Sequence, residues 1–540
     1  MPDARPLPVV RPTATLPADG ACCEACAAAS PDPKRPDGVM TAAAPAPEGP
    51  RAPASGAGLA SDAGPASGAG LASDAGPASG AGLASRAEPL PTPPPRATAG
   101  PAGPLVTLQP RGPMPAPLDR NGDRRITVGG LALAAGFLVL ATAGVLVPTL
   151  RGQWLPLHLV LAGAATVAIG AVMPFFASAL VNGEPAPAPA RVAIIGLLAG
   201  GALAVGAGFG ATNTNLAISG GLLFITGLIA LLGLTVAILR GSIGAKRRVF
   251  TVIYGMAIVN VIVGASIATL FLGGERTIAA NWAVLKPAHA WLNLFGFVSL
   301  VICSSLVHLF PTIVGARMDR SAWSIGAVIA LAIAPPVIAT GYVLRVDLVA
   351  QAGAILMAVG TVALLVVAAR IWRSRGGWTG DRPWHTMAMG SLWAGLGWFT
   401  IGVAVAVERI LVSGAQPDGW SVTALIAPLG VGFVIQIMVG AWTHLLPAIG
   451  PGTPALHAVA RSRLGIAAWP RLVLLNAGAA ALFAGSVAEN GDVTKAGLAV
   501  AGVAVVASVA LFAGTAWSVT RKGSKRSRGV TSAGAASLGR

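Results

Sequence analysis

Two histidines, His158 and His289, each stand two positions after a proline, Pro156 and Pro287, near the start of a long apolar run. Neutral imidazoles presented by two helices at one depth can ligate a haem iron axially or contribute to a copper site. Asn293 follows His289 by four residues and shares its helix face. It can hydrogen-bond a ligand edge or orient a neighbour, and Gly163 and Gly296 offer room for a flat macrocycle. The competing reading is two interfacial histidines bonded to backbone carbonyls or headgroups. A second, weaker group is His308, His385 and His444, with His457 in a nearby loop. His308 and His444 open the related strings HLFP and HLLP. His289 and His308 are 19 positions apart. On a helix that is roughly 28 Å, so they belong to opposite faces of a membrane. For the second group the plain reading is interfacial polar residues next to helix ends.

The elements that must carry these residues are transmembrane helices. The chain is 54% hydrophobic and only 11% charged, too little charge to cover a water-exposed surface. Twelve apolar runs are expected, near 127–149, 156–181, 191–211, 216–239, 249–272, 285–310, 322–344, 348–371, 384–411, 422–446, 470–488 and 496–519. Each is of about the length that spans a bilayer as a helix. Tryptophans near their ends, such as Trp154, Trp282 and Trp384, suit the interfacial aromatic belt.

Charge alternates across these runs. With the N-terminus inside, the inner flanks hold twenty-two Lys and Arg, and the outer flanks only Arg151, Arg276, Lys286, Arg345, Arg409 and Lys495. Every second loop is basic, as the positive-inside rule requires. The expectation is a multi-pass protein of the cell membrane with both termini cytoplasmic. The net charge of +17 follows from this topology, and no nucleic-acid partner is expected. Residues 1–125 are rich in Pro, Ala, Gly and Ser and repeat the 12-residue unit PASGAGLASDAG from Pro53, Pro65 and, altered, Pro77. Such a segment is expected to be a disordered cytoplasmic tail. Residues 126–520 form the twelve-helix domain and 521–540 a basic cytoplasmic tail. Cys22, Cys23 and Cys26 form CCEAC in the first tail, where no second pair completes four metal ligands. Cys303, in mid-helix, reads as a small packing residue.

Carboxylates are almost absent from the apolar runs. Proton relays and ion-coupled carriers normally need them, which counts against a proton pump and a proton-driven transporter. No phosphate-binding loop or nucleophile motif is visible.

The chain resembles the core subunit of haem-copper oxidases and the related NnrS-like membrane proteins. It is most similar to the membrane module that precedes copper-oxidase or copper nitrite reductase domains in longer proteins. The residues that carry the resemblance are LHLVLAGA at Leu157–Ala164, HAWLNLFGFVSL at His289–Leu300, HLFPTIVGARM at His308–Met318 and PLGVGFVIQIMVGAWTHLLP at Pro428–Pro447. It implies an all-α, oxidase-like bundle. His158 matches the low-spin haem ligand of helix 2, and His289 the copper ligand of helix 6. There are departures. Helix 10 has Pro428 and Gly430 where haem ligands are expected, Asn293 replaces a tyrosine, Trp291 replaces a histidine of the module, and no histidine pair lies near helix 7. Two histidines do not supply a haem iron facing a three-ligand copper, so a complete terminal oxidase is not expected. The resemblance implies one haem b or copper held by His158 and His289 with Asn293, and a redox, metal-handling or nitric-oxide-related role. An electron-transfer or copper-protein partner would serve such a site. A transporter without proton coupling and a non-catalytic scaffold of a respiratory or copper complex are the alternatives.

Overall fold

The computed structural model describes residues 120–146, 154–181, 183–241, 248–377, 380–416, 423–449 and 454–537. The tail repeats and Cys22, Cys23 and Cys26 lie outside the described residues. Among the described residues twelve helices are long and apolar enough to cross a membrane. Spans 1 to 6 are Arg124–Val145, Trp154–Val181, Ala188–Gly210, Thr214–Arg240, Arg248–Leu272 and Trp282–Val314. Spans 7 to 12 are Ala322–Leu344, Asp347–Arg373, Arg382–Ser413, Ile426–Ala448, Ala468–Val487 and Gly491–Trp517. These are the twelve apolar runs read from the sequence, and the protein is a multi-pass membrane protein. The last helix continues beyond span 12 to Ser537.

Three spans form the centre. Spans 2, 6 and 10 are 78%, 94% and 94% buried in their apolar windows, and each of the other nine is buried by 61% or less. The central spans share a second property. Each contains a widened, π-helical stretch: Leu159–Ala165, Leu294–Ser299 and Ile426–Ile435. In span 2 the Thr166 hydroxyl closes this stretch by donating to the Leu161 carbonyl five residues back, at 2.8 Å. In span 6 the brace comes from outside: the Asn260 amide of span 5 donates to the Gly296 carbonyl at 2.9 Å. π-Helical turns are uncommon and recur at functional sites.

The two spans that follow each central span pack as a close hairpin. The backbones touch because a glycine near the end of one helix meets the first turn of the next: Gly208 against Ala217, Gly341 against Ala350 and Gly485 against Thr494. A Cβ at any of these glycines would overlap the facing backbone. Small residues are what allow such approach in lipid. The order of one central span followed by a hairpin thus recurs three times, at spans 2–4, 6–8 and 10–12.

Candidate metal centre between spans 2 and 6

His158 closes the short helical segment Trp154–His158. Its Nδ1 lies 3.0 Å from the Trp154 carbonyl. A carbonyl only accepts, so the imidazole carries its proton on Nδ1 and keeps the Nε2 lone pair available. The ring stacks on Trp154 at 3.9 Å, and Trp154 stacks in turn on Phe209 of span 3 at 3.8 Å. The stack fixes the plane of the imidazole.

His289 is buried and comes from the helical segment Trp282–Asn293. Its Nδ1 is 2.7 Å from the Gly264 carbonyl of span 5 and 2.9 Å from Asn293 Nδ2. One ring nitrogen cannot donate to the first and accept from the second. The shorter carbonyl contact requires the proton on Nδ1. The Asn293 amide, 3.4 Å from Nε2 as well, then donates to that nitrogen, the one ring atom left to accept. Asn293 therefore holds the tautomer of His289, and the lone pair is again on Nε2. Gly264 permits the arrangement, because a Cβ there would overlap the Asn293 amide.

Both histidines line one cavity of about 130 Å³. Trp154, Phe209, Phe224, Phe271, Trp282 and Phe297 supply much of the wall, with Thr166, Thr269 and Lys286 as its polar members beside Asn293. Spans 2 to 6 all contribute. Phe271 and Trp282 stack at 3.8 Å and form a second aromatic pair opposite in sequence to the Trp154–Phe209 pair.

The donor set suits a metal ion. Ligating histidines typically give their other N–H to a carbonyl or carboxylate, which orients the ring and raises its basicity, and here each does so. The volume favours one of the two groups named above. An engineered cavity of about 150 Å³ holds a benzene, and a tetrapyrrole is several times larger. The cavity therefore matches a single ion with a small ligand more closely than a macrocycle. The two glycines read as room for a macrocycle serve neighbours instead: Gly163 receives the Phe137 ring of span 1, and Gly296 receives Asn260. Among the described residues no three of His, Cys, Asp and Glu converge on one point, so two imidazoles are the metal-ligating share of the site, with Lys286 as its cation.

The three histidines of the second group lie at the arginine-rich end of the bundle, and His457 sits on the helix Pro454–Leu464 rather than in a loop. His308 is buried edge-on to Phe250 at 4.2 Å. His385 and His444 both pack on Trp384, at 4.6 Å and 5.3 Å, and the indole N–H of Trp384 donates to the Thr443 carbonyl at 2.6 Å. Thus His385 and His444 meet through a ring, and His308 packs on a different one. Cys303 is buried and outside any disulfide. Glu408 and Arg409 pair with each other at 3.6 Å on an exposed surface.

Gly264 and Phe209 did not stand out in the sequence, and Trp154 was read there only as a member of the interfacial belt. With 70 glycines and 14 phenylalanines in the chain, their types carry no signal. The i, i+4 spacing of Trp154 and His158 is the one cue that could have found a support of the site.

No protein-family model and no curated protein sequence matches the chain. Among solved structures it is similar to a haem-copper terminal oxidase dimer determined by cryo-electron microscopy. The identity is 13%, the match covers 74% of this chain and 83% of that one, and the TM-score is 0.49. The likeness is one of overall arrangement.

Proposed function

We propose that this membrane protein holds one copper ion between spans 2 and 6, in a redox or metal-handling role. The observation that carries the reading is the pair of Nε2 lone pairs on one cavity, each fixed by an N–H bond to a backbone carbonyl. Copper so held would supply one-electron chemistry or a transferable ion. The chain's own residues position it: Trp154 sets the plane of one imidazole, Gly264 and Asn293 set the other, and the aromatic walls exclude water. Sparse basic residues at this end of the bundle, against twenty-two at the other, support placing the site at the outer face with both termini cytoplasmic. An electron carrier or a copper protein outside the membrane would then be the partner. A nitric-oxide-related role would use the same ion.

Metal analysis of the purified full chain, supplied with copper, tests this. About one copper per chain is expected, without the Soret absorption of a haem. A metal-free preparation overturns the proposal, and a Soret band assigns the histidines to haem.

The mostly apolar walls, with Lys286 as a cationic member, favour a second reading: passage of an uncharged small molecule. Flux into liposomes by metal-free protein would select it.

A further inference from the structure

A second cleft lies at the arginine-rich end, beside the end of span 8 and the start of span 9. It is lined by Trp372, Arg375, Gly376, Gly377, Arg382 and Thr386 and has a volume of about 610 Å³. We propose that it binds the phosphate group of an anionic phospholipid.

The guanidinium of Arg375 is held in place before any ligand arrives. It lies over the Trp372 ring, 3.5 Å from the centroid, and donates through Nη1 to the Trp372 carbonyl at 3.1 Å. Trp372 is itself supported by Trp393 at 5.7 Å, edge to face. The loop that carries Arg375 is tied down at its next residue, where the Gly376 N–H donates to the Gly315 carbonyl at 3.3 Å. A planar donor fork fixed this way loses little freedom when it binds an oxyanion.

The charge of the cleft is uncompensated. Asp381, adjacent to Arg382, is taken by Arg461 at 2.5 Å, and Asp319 is taken by Arg370 at 3.3 Å. Among the described residues neither Arg375 nor Arg382 has a carboxylate partner. Two guanidinium groups therefore face one exposed cleft, with the Thr386 side chain beside them. The cleft also sits where a span ends, with tryptophans at the level that interfacial tryptophans occupy. A lipid phosphate reaches that level, and anionic lipids attract each nearby arginine by about 1 kcal/mol, roughly fivefold in affinity. The chemistry is that of any phosphate oxyanion, and the lipid is favoured by this position.

The test uses the full chain in nanodiscs of phosphatidylcholine doped with phosphatidylglycerol. Lipid that remains bound after detergent exchange is measured by mass spectrometry. Wild type should retain phosphatidylglycerol in preference to phosphatidylcholine. Arg375→Gln with Arg382→Gln should lower that retention roughly twenty-five-fold on the fivefold scale for each arginine. Arg320→Gln, an exposed arginine outside the cleft, should leave it unchanged. Arg375→Lys keeps the charge without the fork and should fall between. It serves in place of the double variant if that variant does not fold by thermal unfolding. In parallel, inorganic phosphate is titrated onto detergent-solubilised wild type and variant. Binding of phosphate that depends on Arg375 and Arg382, without lipid preference, keeps the oxyanion chemistry and moves the source from lipid to solution, overturning the lipid assignment. Equal retention of both lipids without phosphate binding, or retention unaffected by the arginine variants, overturns the proposal outright.

Discussion

The outer-motif regions of spans 6 and 10 begin alike and end differently. Pro287 is followed two residues later by His289, and Pro428 by Gly430. Both spans are central and both contain a π-helical stretch. Around His289 the aromatic rings stand back as the walls of a cavity. Around Gly430 they close up. The Trp398 ring of span 9 fills the notch at Gly432, Leu429 fills the notch at Gly402, and Phe399 and Phe433 meet at 4.5 Å. Trp398 is anchored there by its N–H to Asn476 Oδ1 at 2.9 Å. A widened turn in a buried span is therefore not a site by itself. What separates the two regions is an imidazole whose other nitrogen is already committed, facing a space that no side chain fills.

Four experiments can break or sharpen that contrast. The largest effect is expected from His158→Ala and His289→Ala, each of which should reduce copper per chain to background by mass spectrometry. Retention of copper by the double variant would show that the cavity is not the site.

Trp398 is half-buried, but its ring fills the Gly432 notch and bonds Asn476, so Trp398→Ala should cost about 3 kcal/mol of stability, the low end for a large aromatic. Trp154→Ala should cost less, because its ring already borders empty space. Unfolding in denaturant compares the two, and equal losses would mean that both regions are packed alike.

A smaller effect is expected from Asn293→Leu. It removes the amide that steadies the His289 ring, and loss of such a partner typically weakens metal affinity about 10–100-fold. A competitive copper titration measures this, and saturating copper should restore full occupancy. Unchanged affinity would leave Gly264 alone as the support.

The smallest concerns Glu275, ahead of span 6. Its carboxylate accepts the Ile278 N–H at 2.7 Å, and this bond, followed by that from the Thr277 N–H, holds its pKa below the usual value of 4.5. A carboxyl lowered on folding stabilises above its unfolded pKa and loses that contribution as pH falls through the folded one. Wild type and Glu275→Gln should therefore differ slightly in Tm at neutral pH and converge in acid. A gap that persists in acid would assign the difference to something other than the ionised cap.

The spans were legible because each is a long apolar run flanked by alternating charge, properties that a linear reading captures. The expected run at 285–310 and the observed Trp282–Val314 differ by a few residues at each end, where helices run past the apolar core. His158 and His289 were legible because an imidazole in lipid is conspicuous. Their supports were not. Gly264 acts through its carbonyl and its missing side chain, on a helix that precedes His289 by a full span, and nothing in the string VIVGASIA points to that role. Gly163 and Gly296 were misread for the same reason: a glycine marks close approach, and the sequence does not say what approaches. The spacing of Trp154 and His158 could have put them on one face, yet only the fold adds Phe209 to the stack.

The three glycine-notched hairpins carry a consequence for biogenesis. Each pair satisfies its main contact with itself, backbone on backbone, and needs nothing from the axial helices to do so. Such pairs can leave the translocon as finished units and dock afterwards around the inner spans. A lesion at Gly208, Gly341 or Gly485 would thus act during insertion, and would be seen as protein that is made but never accumulates.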